Sequence, residues 1–204
     1  MKIAVGLGNP GSRYASTRHN VGFRIVERFA ASRGIELGER RFEGRFGRGS
    51  VPVAGAASLD VGILEPQTWM NHSGRSVAEA LGALPVDDPP QGLLVVLDDV
   101  DLPFGRLRVR PAGGAGGHRG LADVIEALGR SDLPRLRFGV GRPEIPLETA
   151  DWVLQPFSEE EAAELPARIA TASEALGVAL LEGVPAAMNR FNPDPASAPP
   201  EPVQ

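Results

Sequence analysis

Leu93-Leu94-Val95-Val96-Leu97-Asp98-Asp99-Val100-Asp101 decides the reading of this chain: an unbroken apolar run that ends abruptly in acids. Such a run, with no polar alternation, marks a strand buried on both faces. Strands of that kind belong to sheets covered by helices, and ligands and catalytic groups gather beyond their carboxyl ends. Asp98, Asp99 and Asp101 therefore stand where chemistry is expected. Two other readings stay open: a turn with helpful carboxylates, or oxygen ligands for Mg²⁺, for which no further acid cluster supplies a complementary shell.

On the amino-terminal side, Lys2 to Leu7 reads as a short buried strand ending at glycine. Val21, Ile25, Val26, Phe29 and Ala30 then recur at helical spacing, with Gly34 as the stop. Residues 40–53 are expected to form paired strands with glycine turns, and 61–64 another strand. A helix follows Asn71-His72-Ser73-Gly74 and carries Val77, Ala80, Leu81 and Leu84, and 85–91 is a loop. On the carboxyl side, Leu107 and Val109 alternate with arginines, as in a strand with one wet face. Leu121, Val124, Ile125 and Leu128 form an amphipathic helix, and 136–140 is a further strand. Ser158 is placed to cap an acid-rich helix reaching Glu182, with Glu161 completing a capping box. Strands alternating with helices predict an α/β protein, a three-layer α/β/α sandwich around a twisted mixed β-sheet. One domain is expected over residues 1–191, followed at 192–204 by a disordered tail rich in proline.

The 204 residues suit one domain with its own core, and the complete lack of cysteine excludes disulfides, thiolate metal sites and a cysteine nucleophile. No secretory leader or membrane-spanning run is seen, so a cytoplasmic protein is expected. The net charge of −5 hides an uneven distribution. Residues 1–143 hold 19 Lys/Arg against 15 Asp/Glu, whereas 144–182 hold nine acids and only Arg168 as a base. Between Leu102 and Ala122 lie Arg106, Arg108, Arg110 and Arg119 with no acid. A basic side of that kind can hold a phosphate backbone despite the overall sign, although arginines on a strand are often merely solvated.

Three glycine-rich or polar loops carry the remaining candidates. Gly6-Leu7-Gly8-Asn9-Pro10-Gly11 fits G-x-G-x-x-G after a strand, with Glu36 near the place of a ribose-binding acid. That dinucleotide reading also needs a helix opening at the loop, and none is seen before Val21. The alternative is a tight loop presenting Asn9 and, farther on, His19. Residues 66–74 form a second polar loop, in which Asn71 is a helix cap or a site amide, and Trp69 and Met70 are core or site residues. The third, Gly113 to Gly120, lets backbone N–H groups converge on an anion or lets the loop move.

Taken together, GLGNPGSRYASTRHNVGF at 6–23, PQTWMNHSG at 66–74, LDDVDLPFGRLRVR at 97–110 and GGAGGHRGL at 113–121 resemble the peptidyl-tRNA hydrolase family. RFGVGRP at 137–143 and WVLQPFSEEE at 152–161 extend the likeness to about Phe191. The resemblance implies a metal-free, cofactor-free, generally monomeric esterase that removes peptides from tRNA. It implies His19 as the base and Asp98 as the carboxylate stabilising its charged form. Asn9 matches the position that distinguishes blocked from free aminoacyl ends, Asn71 a substrate-positioning amide, and Tyr14 and Trp69 contacts to the tRNA end. Arg137 and the Arg106–Arg110 stretch lie where the family carries basic residues. Arg119 stands where the family usually has asparagine, and Glu144, Glu148 and Asp151 stand where it usually has lysines. Two rivals remain: an RNA-binding module without catalysis, and the dinucleotide-binding oxidoreductase.

Overall fold

The structure, a computed structural model, describes residues 1–53, 55–143 and 147–193. In chain order the elements are β1 (Lys2–Gly6), α1 (Val21–Ser32), β2 (Glu39–Arg41), β3 (Gly44–Val51), β4 (Leu59–Pro66), α2 (Ser73–Ala83), the single turn α3 (Pro89–Gly92) and β5 (Leu93–Asp99). Then come β6 (Leu107–Arg110), α4 (Arg119–Leu128), β7 (Arg135–Gly139), α5 (Thr149–Val153), α6 (Glu159–Leu181) and α7 (Val184–Phe191). Short 3-10 turns cover Arg18–Asn20 and Met70–His72.

The strands form one mixed sheet in the order β2-β3-β4-β1-β5-β7-β6. β4, β1, β5 and β7 run parallel, and β3 and β6 are antiparallel to their inner neighbours. The two-residue period of a strand sorts its side chains between the layers. Leu94 and Val96 face α1 and α6 and share a core with Phe29 and Leu176. Leu93, Val95 and Leu97 face α2 and α4 and share a core with Val77 and Leu121. The expected three-layer sandwich follows from that alternation. Each fully buried Leu or Phe contributes about 1.5–3 kcal/mol.

Local signals account for most boundaries. α1 ends at Ser32 and Gly34 turns the chain at φ +66°. Ser158 accepts from the Glu161 amide while Glu161 accepts from the Ser158 amide, the reciprocal cap foreseen for α6. Other expectations are corrected. The β2–β3 turn contains no glycine: Phe42 and Glu43 adopt φ of +56° and +49°. Burial of Phe42, whose ring meets Phe46 edge-on at 5.2 Å, holds that conformation against its intrinsic cost. The loop at 85–91 contains the start of α3, favoured by Pro89 at its first position. β5 runs on through Asp98 and Asp99 instead of stopping at Leu97, because both carboxylates find partners inside.

Both sheet edges are finished by charge or by the chain itself. β2 is three exposed charged residues, Glu39, Arg40 and Arg41. At β6, the Asn192 side chain accepts from the Val109 amide at 2.7 Å and donates to the Val109 carbonyl at 3.0 Å. Arg106 grips the carbonyls of Asn192 and Pro193 at 2.6 and 2.7 Å. The chain is thus held past Phe191, and the expected disordered tail lies, from residue 194 on, outside the described residues. On β4, Glu65 is fully buried and meets Arg45 at 2.9 Å. Burial, then the neighbouring Glu27 charge, push its carboxyl up to about 8 against the pull of Arg45. Among the described residues no helix is long and apolar enough to cross a membrane.

Candidate active site

The carboxyl ends of the parallel strands open on a cleft of about 560 Å³. Each strand delivers part of its lining: Asn9 follows β1, Trp69 to Asn71 follow β4, Asp98 and Asp99 end β5 and Arg142 follows β7. The sheet rule that drew attention to 98–101 therefore also collects segments far apart in sequence.

At the centre, His19 Nδ1 lies 2.8 Å from Asp98 Oδ1. His118 Nε2 lies 3.0 Å from the same oxygen. The Leu121 amide donates to His118 Nδ1 at 3.1 Å, which caps α4. That ring nitrogen is therefore unprotonated, and Nε2 carries the hydrogen given to Asp98. Three ligand-type side chains thus meet, but their contacts form a hydrogen-bonded chain. Asp98 is buried, which raises a carboxyl group; the charges and hydrogen bonds of His19 and His118 outweigh this and hold it well below the usual carboxylate range. An ionised Asp98 fixes His19 with Nδ1 as donor and leaves Nε2, without a partner among the described residues, for a molecule in the cleft. This is the geometry of a water-activating base.

Asn9 is held at several points. Its amide donates to Asn20 Oδ1 and its carbonyl accepts from Asn20 Nδ2, both at 2.9 Å. Its side-chain oxygen accepts from the Met70 amide at 2.9 Å. Only oxygen can meet that N–H, so the side chain's NH₂ is the end left for the cleft. The glycines of the first loop serve packing. A Cβ on Gly8 would sit 2.8 Å from the Phe23 ring, and one on Gly22 would sit 2.5 Å from the carbonyls of Leu7 and Val96. The room a pyrophosphate needs over Gly8 holds an aromatic ring, and α1 opens only at Val21. The dinucleotide reading fails on both counts.

Trp69, 54% exposed, stands at the cleft rim with Tyr14 edge-on at 5.8 Å. Asn71 is exposed in the 3-10 turn, lines the cleft and does not cap α2. Arg119 opens α4 and lines the cleft. Arg137 pairs with Asp99 at 2.8 Å and Arg142 with Asp101 at 2.5 Å, whereas Arg119 has no carboxylate partner among the described residues. The acids are thus each engaged separately and do not converge on one cation. Arg106, expected among the basic residues for tRNA, is turned to the carbonyls of Asn192 and Pro193 instead. Arg108 and Arg110 remain exposed on β6. The glycine loop is a set of turns, with φ of +134°, +59° and +81° at Gly113, Gly116 and Gly117. Buried Arg135 holds it through the carbonyls of Gly113 and Gly114. Glu148 lines the cleft, Asp151 is exposed and Glu144 lies outside the described residues. His118 was not among the site residues expected from sequence; a histidine opening an amphipathic helix beside an acid-tipped strand was the available signal.

The chain is similar to known proteins over nearly its whole length. The profile of the peptidyl-tRNA hydrolase family matches residues 3–199. A peptidyl-tRNA hydrolase of Symbiobacterium thermophilum is 48% identical over 94% of this chain and 98% of its own length. That of Chloroflexus aggregans is 45% identical over 95% of this chain and the whole of its own. The crystal structure of the Acinetobacter baumannii enzyme superposes with a TM-score of 0.81 at 36% identity, covering 94% of each chain.

Proposed function

Because this chain belongs to the peptidyl-tRNA hydrolase family and cleaves the ester between peptide and tRNA, we propose that His19 activates the attacking water, with Asp98 as its charge partner. The observation that carries this is the 2.8 Å contact between His19 Nδ1 and buried Asp98, which leaves Nε2 to the cleft. In the reaction Nε2 takes a proton from water as hydroxide adds to the ester carbonyl. Asp98 stabilises the resulting imidazolium, and the same proton then goes to the departing ribose oxygen. General-base catalysis of this kind contributes roughly 10²- to 10⁴-fold. The chemistry as written calls for no metal or cofactor, and the reading is of a monomeric, cytoplasmic enzyme that recycles tRNA from interrupted translation.

Asn9 gives selectivity a physical basis. Its oxygen is engaged by Met70, so it offers a donor to the substrate. A donor pairs with the carbonyl of a blocked amino group and finds nothing to accept on the ammonium of a free aminoacyl-tRNA. Asn71 positions the ester, Trp69 and Tyr14 offer aromatic surface to the tRNA end, and Arg119, with no carboxylate partner among the described residues, offers its guanidinium to the phosphates. Arg108 and Arg110 add positive charge farther out, while Arg137, in the cleft lining, is paired with Asp99.

The test is release of acetylated amino acid from N-acetyl-aminoacyl-tRNA, with unblocked aminoacyl-tRNA and excess EDTA in parallel. EDTA-resistant release from the blocked substrate alone is expected. Binding of tRNA without release would instead favour the non-catalytic RNA-binding module.

A further inference from the structure

His19, in the cleft lining, sits between two residues that do not line the cleft and are themselves buried. Asn20, on one side, is bonded reciprocally to Asn9. Arg18, on the other, is only 3% exposed; a charge so deeply buried needs partners, and its two terminal nitrogens have them while Nε finds none among the described residues. Its guanidinium lies 3.7 Å over the Trp152 ring and 5.3 Å from that of Phe157. One nitrogen donates to Glu161 at 2.6 Å and another to the carbonyl of Pro156. The Arg18 amide donates to the Gln155 carbonyl at 3.0 Å, and Thr17 forms a bridge with Pro156.

These partners run from α5, which holds Trp152, through the link at 155–157 into the first turn of α6, which holds Glu161. Glu161 is the residue of the capping box that also receives the Ser158 amide, at 2.8 Å. Trp152 is fixed from its far side, where its indole N–H donates to the Gly141 carbonyl at 2.7 Å. α5 itself supplies one wall of the cleft through Thr149, Ala150 and Val153, with Leu154 following. The TRHN and WVLQPFSEEE segments, far apart in sequence, are thus joined by the Arg18 side chain as well as by the backbone links of Thr17 and Arg18.

We propose that Arg18 is a positioning residue for the reaction: stacked on Trp152 and paired with Glu161, it fixes the place of His19 relative to the wall of the cleft built by α5. The inference rests on His19 being the base. A planar fork that stacks and pairs at once is a job lysine does incompletely. A base displaced by a fraction of an ångström loses rate while the groups that bind tRNA stay in place.

The experiment compares wild type with Arg18→Met, Arg18→Lys, Glu161→Gln and His19→Ala. It measures kcat and KM on N-acetyl-aminoacyl-tRNA per folded molecule, and the His19 ring resonance by NMR. For Arg18→Met, kcat is expected to fall on the order of 10- to 100-fold with KM changed less than about twofold and the His19 resonance shifted. Arg18→Lys should regain part of the loss. If Arg18→Met does not fold, Glu161→Gln, which leaves the stack in place, should show a smaller fall in kcat with the same unchanged KM. Wild-type kcat per folded molecule in the Arg18 and Glu161 variants, or a loss confined to KM, overturns the positioning role. An active His19→Ala enzyme would instead overturn the assignment of the base itself.

Discussion

His19 and His118 share one carboxylate oxygen, their rings 5.0 Å apart on either side of Asp98 Oδ1. The two are not equivalent. His118 is tied at both nitrogens, one to Asp98 and one to the Leu121 amide, whereas His19 keeps Nε2 for the cleft. What one histidine draws from that oxygen is withheld from the other.

Removing the competitor and removing the carboxylate should therefore act oppositely on pH dependence. Asp98→Asn deprives the His19 imidazolium of its partner, so kcat falls roughly 10²- to 10⁴-fold and the acidic limb of the rate profile moves to lower pH. His118→Ala leaves Asp98 to His19 alone, so the limb moves to higher pH. Losing its cap on α4 costs about 1 kcal/mol besides. pH–rate profiles of the two variants check this, and movement in the same direction would disprove the sharing.

Asn9→Asp should erode selectivity. One carboxylate oxygen can still accept from Met70, and the other presents an acceptor where the NH₂ now points. The ammonium of aminoacyl-tRNA then gains a partner, and the carbonyl of a blocked substrate loses one. The ratio of kcat/KM between the two substrates is expected to fall on the order of tenfold or more. An unchanged ratio would place discrimination elsewhere.

Arg119→Asn removes the one cleft-lining guanidinium with no carboxylate partner among the described residues. If it meets a phosphate, KM rises severalfold and the slope of log affinity against log salt becomes shallower by about 0.7, as for one contact to single-stranded nucleic acid. Binding titrations at several salt concentrations measure the slope. The same slope with a changed kcat would assign Arg119 to the reacting carbonyl.

Glu65 carries a stability consequence. Its carboxyl is raised by burial and by Glu27 to about 8 in the fold, above its unfolded value. The native state then holds a proton that the unfolded chain releases, so stability falls as pH rises from about 4.5 to about 8. Glu65→Gln removes that dependence. Relative to wild type, the variant should gain roughly 1–4 kcal/mol between pH 5 and pH 8.5, read by denaturant melts at both values. A gain equal at both pH values would contradict the protonated state.

The layers were legible in the sequence because burial on both faces leaves a mark in a strand itself: 93–97 carries no polar residue, and 107–110 alternates. The reciprocal cap of Ser158 and Glu161 was legible for the same reason, since both partners lie within one turn. What escaped depends on tertiary partners. Asn71 is compatible with a cap or a site amide until the fold turns it outward. Arg106 looks like a phosphate ligand until Asn192 and Pro193 arrive from the other end of the chain. The turn at Phe42 and Glu43 breaks the glycine expectation because packing of Phe42 on Phe46 outweighs local preference. His118 had no periodic signature; its meaning comes from Asp98, which only the sheet brings within reach.

The grip of Asn192 on Val109 bears on how copies of the molecule can meet. A primary amide presents the same donor and acceptor pair as a peptide group, so it occupies the outward ladder positions that a neighbouring backbone would take. Lateral growth of the sheet at β6 requires first peeling away the carboxyl-terminal turn. Loss of that one side chain would thus reveal itself less in turnover than in a tendency of concentrated protein to self-associate through exposed backbone.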